Sequence, residues 1–376
     1  MQQIFNELNK ATDILVIGNG FDLHCGLKSS FKDFFESELK SGQLLNVQKI
    51  KSNIWYLIFT FAFMLNNGKN DKAKLIKCIN KDNPLWMDVE DYIASVFDLH
   101  TNSKVYYFIN KTLKENDFST YYENGNDYLN GDYRNQLFTI KQRILELKLM
   151  HGFTNAEDLL FFELKNFEKD FARYLKKEVE RKKEDYEKEI GEFIVCNLDN
   201  YGERNLFVLS FNYTNNFNNN VDKDKKCNIH GSLEEDNIII GIGDNESSKN
   251  SGRELFVKYK RRMAMNFGSL NLPKDNIRNV LFYGCSFSAQ DFEYYDYLFK
   301  LYKLGEGDTT FTFLYSDFSR TEKENEENRK KYISKCGETI KKHLLCNNKL
   351  LNYNNLYCEG KIVFMSLDKF KSGVKN

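Results

Sequence analysis

The stretch "ILVIGNGFDLHCGL", Ile14–Leu27, decides the fold of this chain. An apolar run, Ile14–Ile17, stops abruptly at Gly-Asn-Gly. A short, continuously apolar run predicts a strand that is buried on both faces of a parallel sheet. The two glycines predict a tight turn from that strand into a helix. The stretch therefore predicts the first strand–turn–helix unit of an α/β fold.

Strand patterns return only after Asn205. They are the runs "NLFVLSFNYT", "CNIHGS", "NIIIGIGDN", "NVLFYGCSFS", "TTFTFLYSDF" and "KIVFMSLD". Helical stretches lie between several of these runs, and such alternation is typical of a doubly wound sheet. Residues 49–198 carry helical patterns instead. We therefore predict an α/β fold with a doubly wound, mainly parallel, Rossmann-like sheet. Its core is expected at 1–48 and 199–376, with a large helical insertion at 49–198.

Composition excludes several classes of protein. The 376 residues include 54 Lys plus Arg and 54 Asp plus Glu, so a chain-wide attraction to nucleic acid or to an anionic membrane is not expected. The eight cysteines show no C-x-x-C pair that would indicate a structural zinc site. The run "WYLIFTFAFML", Trp55–Leu65, is too short to span a bilayer, and the first residues carry no apolar signal core. We expect a cytoplasmic protein with reduced thiols and no membrane partner.

Ligands of open α/β sheets bind outside the carboxyl ends of the strands, so the residues that follow each apolar run are the candidate site. These are small or polar: Gly18, Asn19, Gly20, Phe21, Asp22 and His24; Ser210, Asn212, Tyr213 and Thr214; His230, Gly231 and Ser232; Gly241, Gly243 and Asp244; and Gly284, Ser286, Ser288 and Asp291. Such a set fits a phosphate-and-ribose pocket. The backbone N–H groups of the Gly18–Gly20 turn, at a helix N-terminus, are expected to face a pyrophosphate.

Several of these residues also have a structural interpretation. Gly-x-Gly after a strand is favoured by any tight turn, and Gly26 stands too late to complete the usual dinucleotide fingerprint. Asp22 could cap a helix, and Asn212 could satisfy backbone groups of a turn. Ser286 and Ser288 could also be helix caps. His230 stands out because a glycine and a serine follow it at a strand end, whereas His100, His151 and His343 lack such a setting and are interpreted as structural.

Five motifs occur in the order seen in one bacterial family. "IGNGFDLHCGL", "WMDVEDYI", "SFNYT", "IHGS" and "YGCSFSAQDFEYYDYLF" resemble the AbiH family of phage abortive-infection proteins, from Ile14 to about Phe299. They are more distantly similar to the sirtuin-like NAD-binding fold. By that similarity Gly18, Gly20 and Phe21 would cover the nucleotide. Asn212 would order a ribose or the attacking water, and His230 would be the base.

The resemblance implies an antiphage effector that hydrolyses the nicotinamide bond of NAD or a related nucleotide, without a metal. The Pro and Arg that follow the glycines in protein deacylases are absent, because this chain has Gly26-Leu27-Lys28, and the four-cysteine zinc module is absent as well. The catalytic set would be His230, Asn212 and Asp22, with Asp291 as the second choice of carboxylate. The nucleotide-binding set would be Gly18, Asn19, Gly20, Phe21, Ser210, Tyr213, Gly231, Gly284, Ser286 and Asp291. The implied partners are the nucleotide and an unidentified phage trigger, and a homo-oligomer is left open.

Three other functions stay open at this point. A nucleotide-binding sensor would keep the glycine turn without catalysis. A metal-dependent phosphoesterase or nuclease would use Asp22, His24, Asn212 and His230 as ligands. An interaction scaffold would use the helical insertion as its surface. In "WMDVEDYI", Trp86, Val89 and Ile93 predict one helix face, and the acids Asp88, Glu90 and Asp91 are expected to face solvent. For Glu90 the family resemblance also leaves open a role in contacting the substrate or in supporting a residue that does.

Overall fold

The structure of the protein is a computed structural model. It describes residues 12–40, 53–59, 89–97, 104–114, 131–198, 205–214, 221–244, 251–317, 321–347 and 352–371. Trp86, Asp88 and His100 lie outside these ranges. Among the described residues, no helix combines the length and the apolar character needed to cross a membrane.

The described chain contains six strands and twelve named α-helices. The strands are β1 (Thr12–Ile17), β2 (Asn205–Ser210), β3 (Lys226–Asn228), β4 (Ile277–Tyr283), β5 (Thr310–Tyr315) and β6 (Ile362–Ser366). The helices are α1 (Asn19–His24), α2 (Phe31–Lys40), α3 (Val89–Val96), α4 (Lys104–Lys114), α5 (Gly131–His151), α6 (Ala156–Arg181), α7 (Lys183–Leu198), α8 (Lys258–Ala264), α9 (Phe292–Leu301), α10 (Glu322–Cys346), α11 (Tyr353–Cys358) and α12 (Leu367–Lys371). Residues 54–59 are also helical, and 3₁₀ turns occupy Lys223–Lys225, Ser251–Phe256 and Ala289–Asp291.

The six strands form one parallel sheet in the order β3-β2-β1-β4-β5-β6. This confirms the predicted α/β fold with a doubly wound, Rossmann-like sheet. The chain builds outward from β1 on one side and then returns to its other side with β4, so the strand order reverses between β1 and β4. In open sheets of this kind the crevice at the reversal point is the usual ligand site.

Both faces of the sheet are covered by apolar side chains, which explains why β1 is buried at every position. One face packs against α7 and α12 through a cluster that includes Ile17, Leu281 and Phe193. On the opposite face, Phe282 stacks on Phe313 of the neighbouring strand, with ring centroids 5.0 Å apart. Rings from α9 and from the turn before it complete that layer, namely Phe287, Tyr295 and Phe299.

The described residues belong to two compact units. The first is Met1–Ser29, Leu175–Ile238 and Asn266–Asn376, and it contains the sheet. The second is Ser30–Tyr174 and Ile239–Met265, and it is mainly helical. The predicted boundaries of the α/β core and of the helical insertion stay predictions.

Helix α2 begins at a capping box formed by Ser30 and Asp33. The Ser30 hydroxyl accepts a hydrogen bond from the Asp33 backbone N–H at 3.1 Å. The Asp33 carboxylate in turn accepts from the Ser30 backbone N–H at 3.2 Å. These reciprocal bonds satisfy two of the N–H groups that a helix leaves unpaired at its start.

The prediction of a strand at "NIIIGIGDN" is wrong. The run is buried, as in a strand, but the structure gives it only an isolated bridge between Ile242 and Val257. Side chains satisfy its backbone instead: Glu168 accepts from the Ile240 N–H at 2.7 Å, and Arg261 donates to the Ile240 carbonyl at 2.6 Å. Gly241, Gly243 and Asp244 therefore do not follow a strand of the sheet.

The acids of "WMDVEDYI" are only partly as expected. Val89 and Ile93 are buried on one face of α3, as predicted. The solvent-facing prediction is wrong for Glu90, whose side chain is 15% exposed. Its carboxylate accepts a hydrogen bond at 2.6 Å from Lys258, a lysine that is itself buried and needs a countercharge there.

Glycines allow the ends of β1 and β4 to touch at the reversal point. A Cβ on Gly18 would stand 2.6 Å from the Gly284 carbonyl oxygen, and one on Gly20 would stand 2.7 Å from the Gly284 Cα. Gly284 has φ of +68°, and a Cβ there would lie 2.3 Å from the Phe21 backbone nitrogen. Only glycine gives both the conformation and the space, so the two turns approach backbone to backbone.

We expect Gly284→Ala to lower the free energy of unfolding by about 3 kcal/mol or more, because left-handed strain and a backbone clash add. Gly360→Ala is the matched control, since Gly360 has the same φ of +68° but a Cβ added there would meet no atom within 4 Å. That control should cost about 1 kcal/mol. Urea unfolding followed by circular dichroism measures both, and equal losses would contradict the proposed backbone contact.

Candidate functional site

A buried carboxylate joins three elements at the carboxyl end of β1. Asp22, in the first turn of α1, is only 1% exposed. Its Oδ1 accepts a hydrogen bond from the Tyr186 hydroxyl of α7 at 2.7 Å, and its Oδ2 accepts from the Thr214 hydroxyl at 2.7 Å. The loop after β2 is thereby tied to α1 and to α7. This loop, residues 211–214, is called the β2 loop below.

The backbone of the β2 loop is fixed from the neighbouring strands as well. Asn228 of β3 donates from Nδ2 to the carbonyls of Asn212 at 2.9 Å and of Thr214 at 3.1 Å. The Asn212 N–H donates to the Ser210 hydroxyl at 3.1 Å. The Tyr213 carbonyl accepts from the Leu233 N–H at 2.9 Å. Asn212, Tyr213 and Thr214 therefore each have at least one backbone group in a hydrogen bond.

The Asn212 side chain is the exception. It is 4% exposed, and among the described residues neither its Oδ1 nor its Nδ2 has a hydrogen-bond partner. A buried amide without partners costs free energy, about 1–3 kcal/mol, because it has lost its water. The fold therefore fixes the backbone of Asn212 and leaves its side-chain NH₂ group and carbonyl oxygen available to a ligand.

A histidine–carboxylate pair lies beside the β2 loop. His230 Nε2 is 3.0 Å from Asp291 Oδ1, and both residues are buried. The imidazole packs edge-on against Phe211 and Tyr294, each with ring centroids 5.5 Å away. The carboxylate therefore fixes the orientation of the ring, and the aromatic contacts limit its rotation. A histidine held in this way can take up or release a proton at a defined position.

The turn between β4 and α9 carries Asp291 to this histidine in a strained conformation. Phe287 has φ of +50°, which is unusual for a bulky side chain. Its ring is anchored nonetheless, because it stacks on Tyr295 at 4.6 Å. The Ser288 hydroxyl accepts from the Gln290 N–H at 3.2 Å and caps the 3₁₀ turn that precedes α9. The structural interpretation of Ser288 is confirmed, and Ser286 is exposed.

The buried phenol and thiol groups near the sheet ends are held in their neutral forms. Burial and the charge of Asp22 raise the pKa of Tyr186 well above its ordinary value. Burial and, less strongly, the charges of Asp22 and Glu189 raise the pKa of Cys25. Burial also raises the pKa of Cys285. The phenol of Tyr186 consequently remains a hydrogen-bond donor at neutral pH, and neither thiol is a nucleophile there.

The glycine turn does not have the arrangement expected of a pyrophosphate site. The Gly18 N–H donates to the Tyr283 carbonyl at 3.0 Å, the Gly20 N–H donates to the Gly284 carbonyl at 2.9 Å, and the Phe21 N–H donates to the Gly18 carbonyl at 2.8 Å. These three N–H groups are therefore already hydrogen-bonded within the protein. The helix that follows, α1, has only six residues. The glycines serve the close approach of β1 and β4.

The other predicted site residues differ in burial and in their contacts. The Phe21 ring lies in the hydrophobic core, edge-on to Phe193 at 5.0 Å, and not on a surface that could cover a nucleotide. Asn19 is exposed and accepts from the Ser29 hydroxyl. Gly231, with φ of +76°, packs on the Asn237 backbone. His24 is half-buried and packs edge-on against Tyr283.

The structural interpretation of two other histidines is supported. His151 is exposed and packs against the ring of Phe162, with centroids 4.7 Å apart. His343 is fully buried, and its Nδ1 lies 2.7 Å from Asp296 Oδ1. Within the described ranges, no group of three His, Cys, Asp or Glu side chains could hold a metal ion.

Sequence reasoning missed Tyr186. Its charged surroundings, "KEDYEKEI", predict a solvated helix face. The available signal was an apolar stripe at helical spacing, Tyr186, Ile190 and Phe193, all of which are buried. That stripe predicts burial of the ring, but it does not identify Asp22 as the partner of its hydroxyl.

The comparison with protein families now decides the identity. The family model for bacteriophage abortive infection AbiH matches residues 14–315, from β1 to the end of β5. The chain belongs to the AbiH family. Membership of this family implies a role in bacteriophage abortive infection, as the order of the motifs indicated. No curated protein and no solved structure matches the chain, and the distant similarity to sirtuins stays a prediction.

The unpaired amide gives a stability prediction. We expect Asn212→Leu to raise the free energy of unfolding by about 1 kcal/mol, because it removes a buried polar group without partners and keeps a side chain of similar size. Asn228→Leu is the matched control, and it should lower that free energy by about 1–3 kcal/mol because it leaves two loop carbonyls unpaired. Urea unfolding distinguishes the two. A loss of stability in both variants would mean that the Asn212 amide is satisfied in the free protein.

Proposed function

We propose that this AbiH protein binds NAD or a related nucleotide at the carboxyl ends of β2 and β3 and hydrolyses its bond to nicotinamide. The observation that carries the proposal is the buried amide of Asn212, which has no partner among the described residues and lies on a loop whose backbone is held by several hydrogen bonds. An amide offers both a donor and an acceptor, which suits the hydroxyls of a ribose. The sheet order supports a nucleotide as the ligand, because this order is typical of nucleotide-binding folds.

The reaction would need little acid catalysis. In NAD the nicotinamide ring is a cationic pyridinium. When its bond to the ribose breaks, the ring takes both electrons of the C1′–N bond and leaves as neutral nicotinamide. The site has to stabilise the positive charge that grows on the ribosyl carbon and to deliver water to it. The water oxygen forms the new bond to C1′, and its proton passes to a base. The products are ADP-ribose, nicotinamide and a proton.

His230 is the proposed base, and Asp291 its orienting carboxylate. When Nε2–H donates to Asp291, Nδ1 keeps the lone pair that accepts the proton of the water. The negative charge of Asp291 then stabilises the imidazolium that forms. Asn212 would hold the ribose or the water. Asp22 was the first choice of carboxylate from sequence, but its hydrogen bonds to two hydroxyls favour a positioning role, so Asp291 takes its place in this proposal.

The test is release of nicotinamide from NAD by the purified full-length protein, followed by chromatography. His230→Ala should lower the rate by about 10²–10⁴-fold, and Asn212→Ala should weaken substrate binding. His343→Ala is the matched control, because it also removes a buried histidine paired with an aspartate, but on α10. It should retain turnover at temperatures where it is folded.

Other outcomes assign a different function. Release by wild type and by His230→Ala at equal rates would remove His230 from the chemistry. Calorimetric binding of NAD without release would favour a nucleotide sensor, with weaker binding by Asn212→Ala. If the wild-type protein neither binds NAD nor releases nicotinamide from it, the nucleotide proposal is overturned.

A further inference from the structure

The hydroxyl of Tyr186 reaches the candidate site through two hydrogen-bonded side chains. It donates to Asp22 at 2.7 Å and lies 3.4 Å from the Thr214 hydroxyl. Asp22 accepts from Thr214 at 2.7 Å, and Thr214 is two residues from Asn212. All three side chains are buried, so water cannot replace a bond that is lost. A displacement of Tyr186 would therefore be passed on to the β2 loop.

Two of the attachments of the β2 loop involve polar side chains of other elements. Asn228 of β3 holds the carbonyls of Asn212 and Thr214, and Asp22 holds the Thr214 side chain. The first attachment fixes the height of the loop against the sheet edge, and the second fixes the end of the loop against α1. The conformation that leaves the Asn212 amide buried and unpaired requires both, because that conformation is itself unfavourable by the cost of a desolvated amide.

We propose that Tyr186 is a positioning residue for Asn212: through Asp22 and Thr214 it holds the β2 loop in the conformation that presents the Asn212 amide to a ligand. The proposal deepens the function above and rests on it for the identity of the ligand as a nucleotide. The positioning itself is independent of that identity. It also makes α7 the helix whose attachment controls the site, because Tyr186 lies on α7 and belongs to the same core cluster as Ile190 and Phe193.

The first experiment needs no ligand. Backbone hydrogen exchange of the full chain, measured by mass spectrometry, should be about tenfold faster for peptides that contain 211–214 in Tyr186→Phe than in wild type. Tyr302→Phe is the matched control, because the Tyr302 hydroxyl is also in a buried residue and donates to a carbonyl, that of Pro273, at 3.1 Å. It should leave exchange of the β2 loop unchanged. Unchanged exchange of this loop in Tyr186→Phe would overturn the proposal.

A second pair of variants covers the case in which Tyr186→Phe fails to fold. Thr214→Val removes the other hydroxyl bound by Asp22 with almost no change in shape, whereas Thr214→Ser keeps that hydroxyl. We expect faster exchange of the β2 loop in Thr214→Val and recovery toward the wild-type rate in Thr214→Ser. Equal behaviour of the two would show that the hydroxyl does not position the loop and would overturn the proposal.

The third experiment separates positioning from a general loss of stability. NAD affinity is measured by calorimetry in wild type, Tyr186→Phe, Asn212→Ala and the double variant. If Tyr186 acts through Asn212, its removal weakens NAD binding about tenfold in wild type and has no further effect in the Asn212→Ala background. Additive losses would overturn the proposal. Absence of NAD binding by wild type would overturn the proposed function alone, since the exchange experiments would still decide the positioning.

Discussion

The contact of two glycine turns is the constraint on which the rest of the fold depends. Gly18 and Gly20 meet Gly284 at distances that leave no room for a Cβ on any of them. Because of this contact, β1 and β4 lie side by side at the point where the strand order reverses, and the sheet can extend in both directions. The same contact uses the amide groups of the turn. A phosphate that approached it would have to compete with the carbonyls of Tyr283 and Gly284, so the polar groups left over lie one strand away, on the β2 loop.

The polar groups at the ends of β2 and β3 have two different physical states. Asp22, Thr214 and Asn228 are satisfied, and they fix geometry. The Asn212 amide is buried and has no partner among the described residues, so a ligand that hydrogen-bonds to it would remove the free-energy cost of its desolvation. His230 differs from both, because Asp291 sets its orientation while the proposed function assigns it the transfer of a proton. A rigid frame around an unsatisfied group is the arrangement that preorganised binding sites share.

Much of this could be predicted from sequence, and the failures have physical causes. Continuous apolar runs identified β1, β2, β4, β5 and β6, because strands that are covered on both faces leave a clear pattern, whereas β3 is a short, half-buried strand. The same rule failed for "NIIIGIGDN", since a run whose backbone is satisfied by Glu168 and Arg261 has the burial of a strand without its partners. The glycines were identified correctly as a turn, but sequence does not tell whether their N–H groups meet a ligand or a carbonyl. Asp22 and Tyr186 are 164 residues apart, and a hydrogen bond at that separation has no local signature.

The sheet register has a consequence for how the protein is made. Thr12 of β1 pairs with Asn205 of β2 and with Ile277 of β4, so the central strand is synthesised long before either of its neighbours. At bacterial elongation rates, the 193 residues between the first pair take about 10–40 s to synthesise. During that time the strand with the most continuous apolar surface has no partner in the sheet. An apolar strand without its sheet partners is prone to aggregate, and the long sequence separation of the sheet contacts predicts slow folding after release.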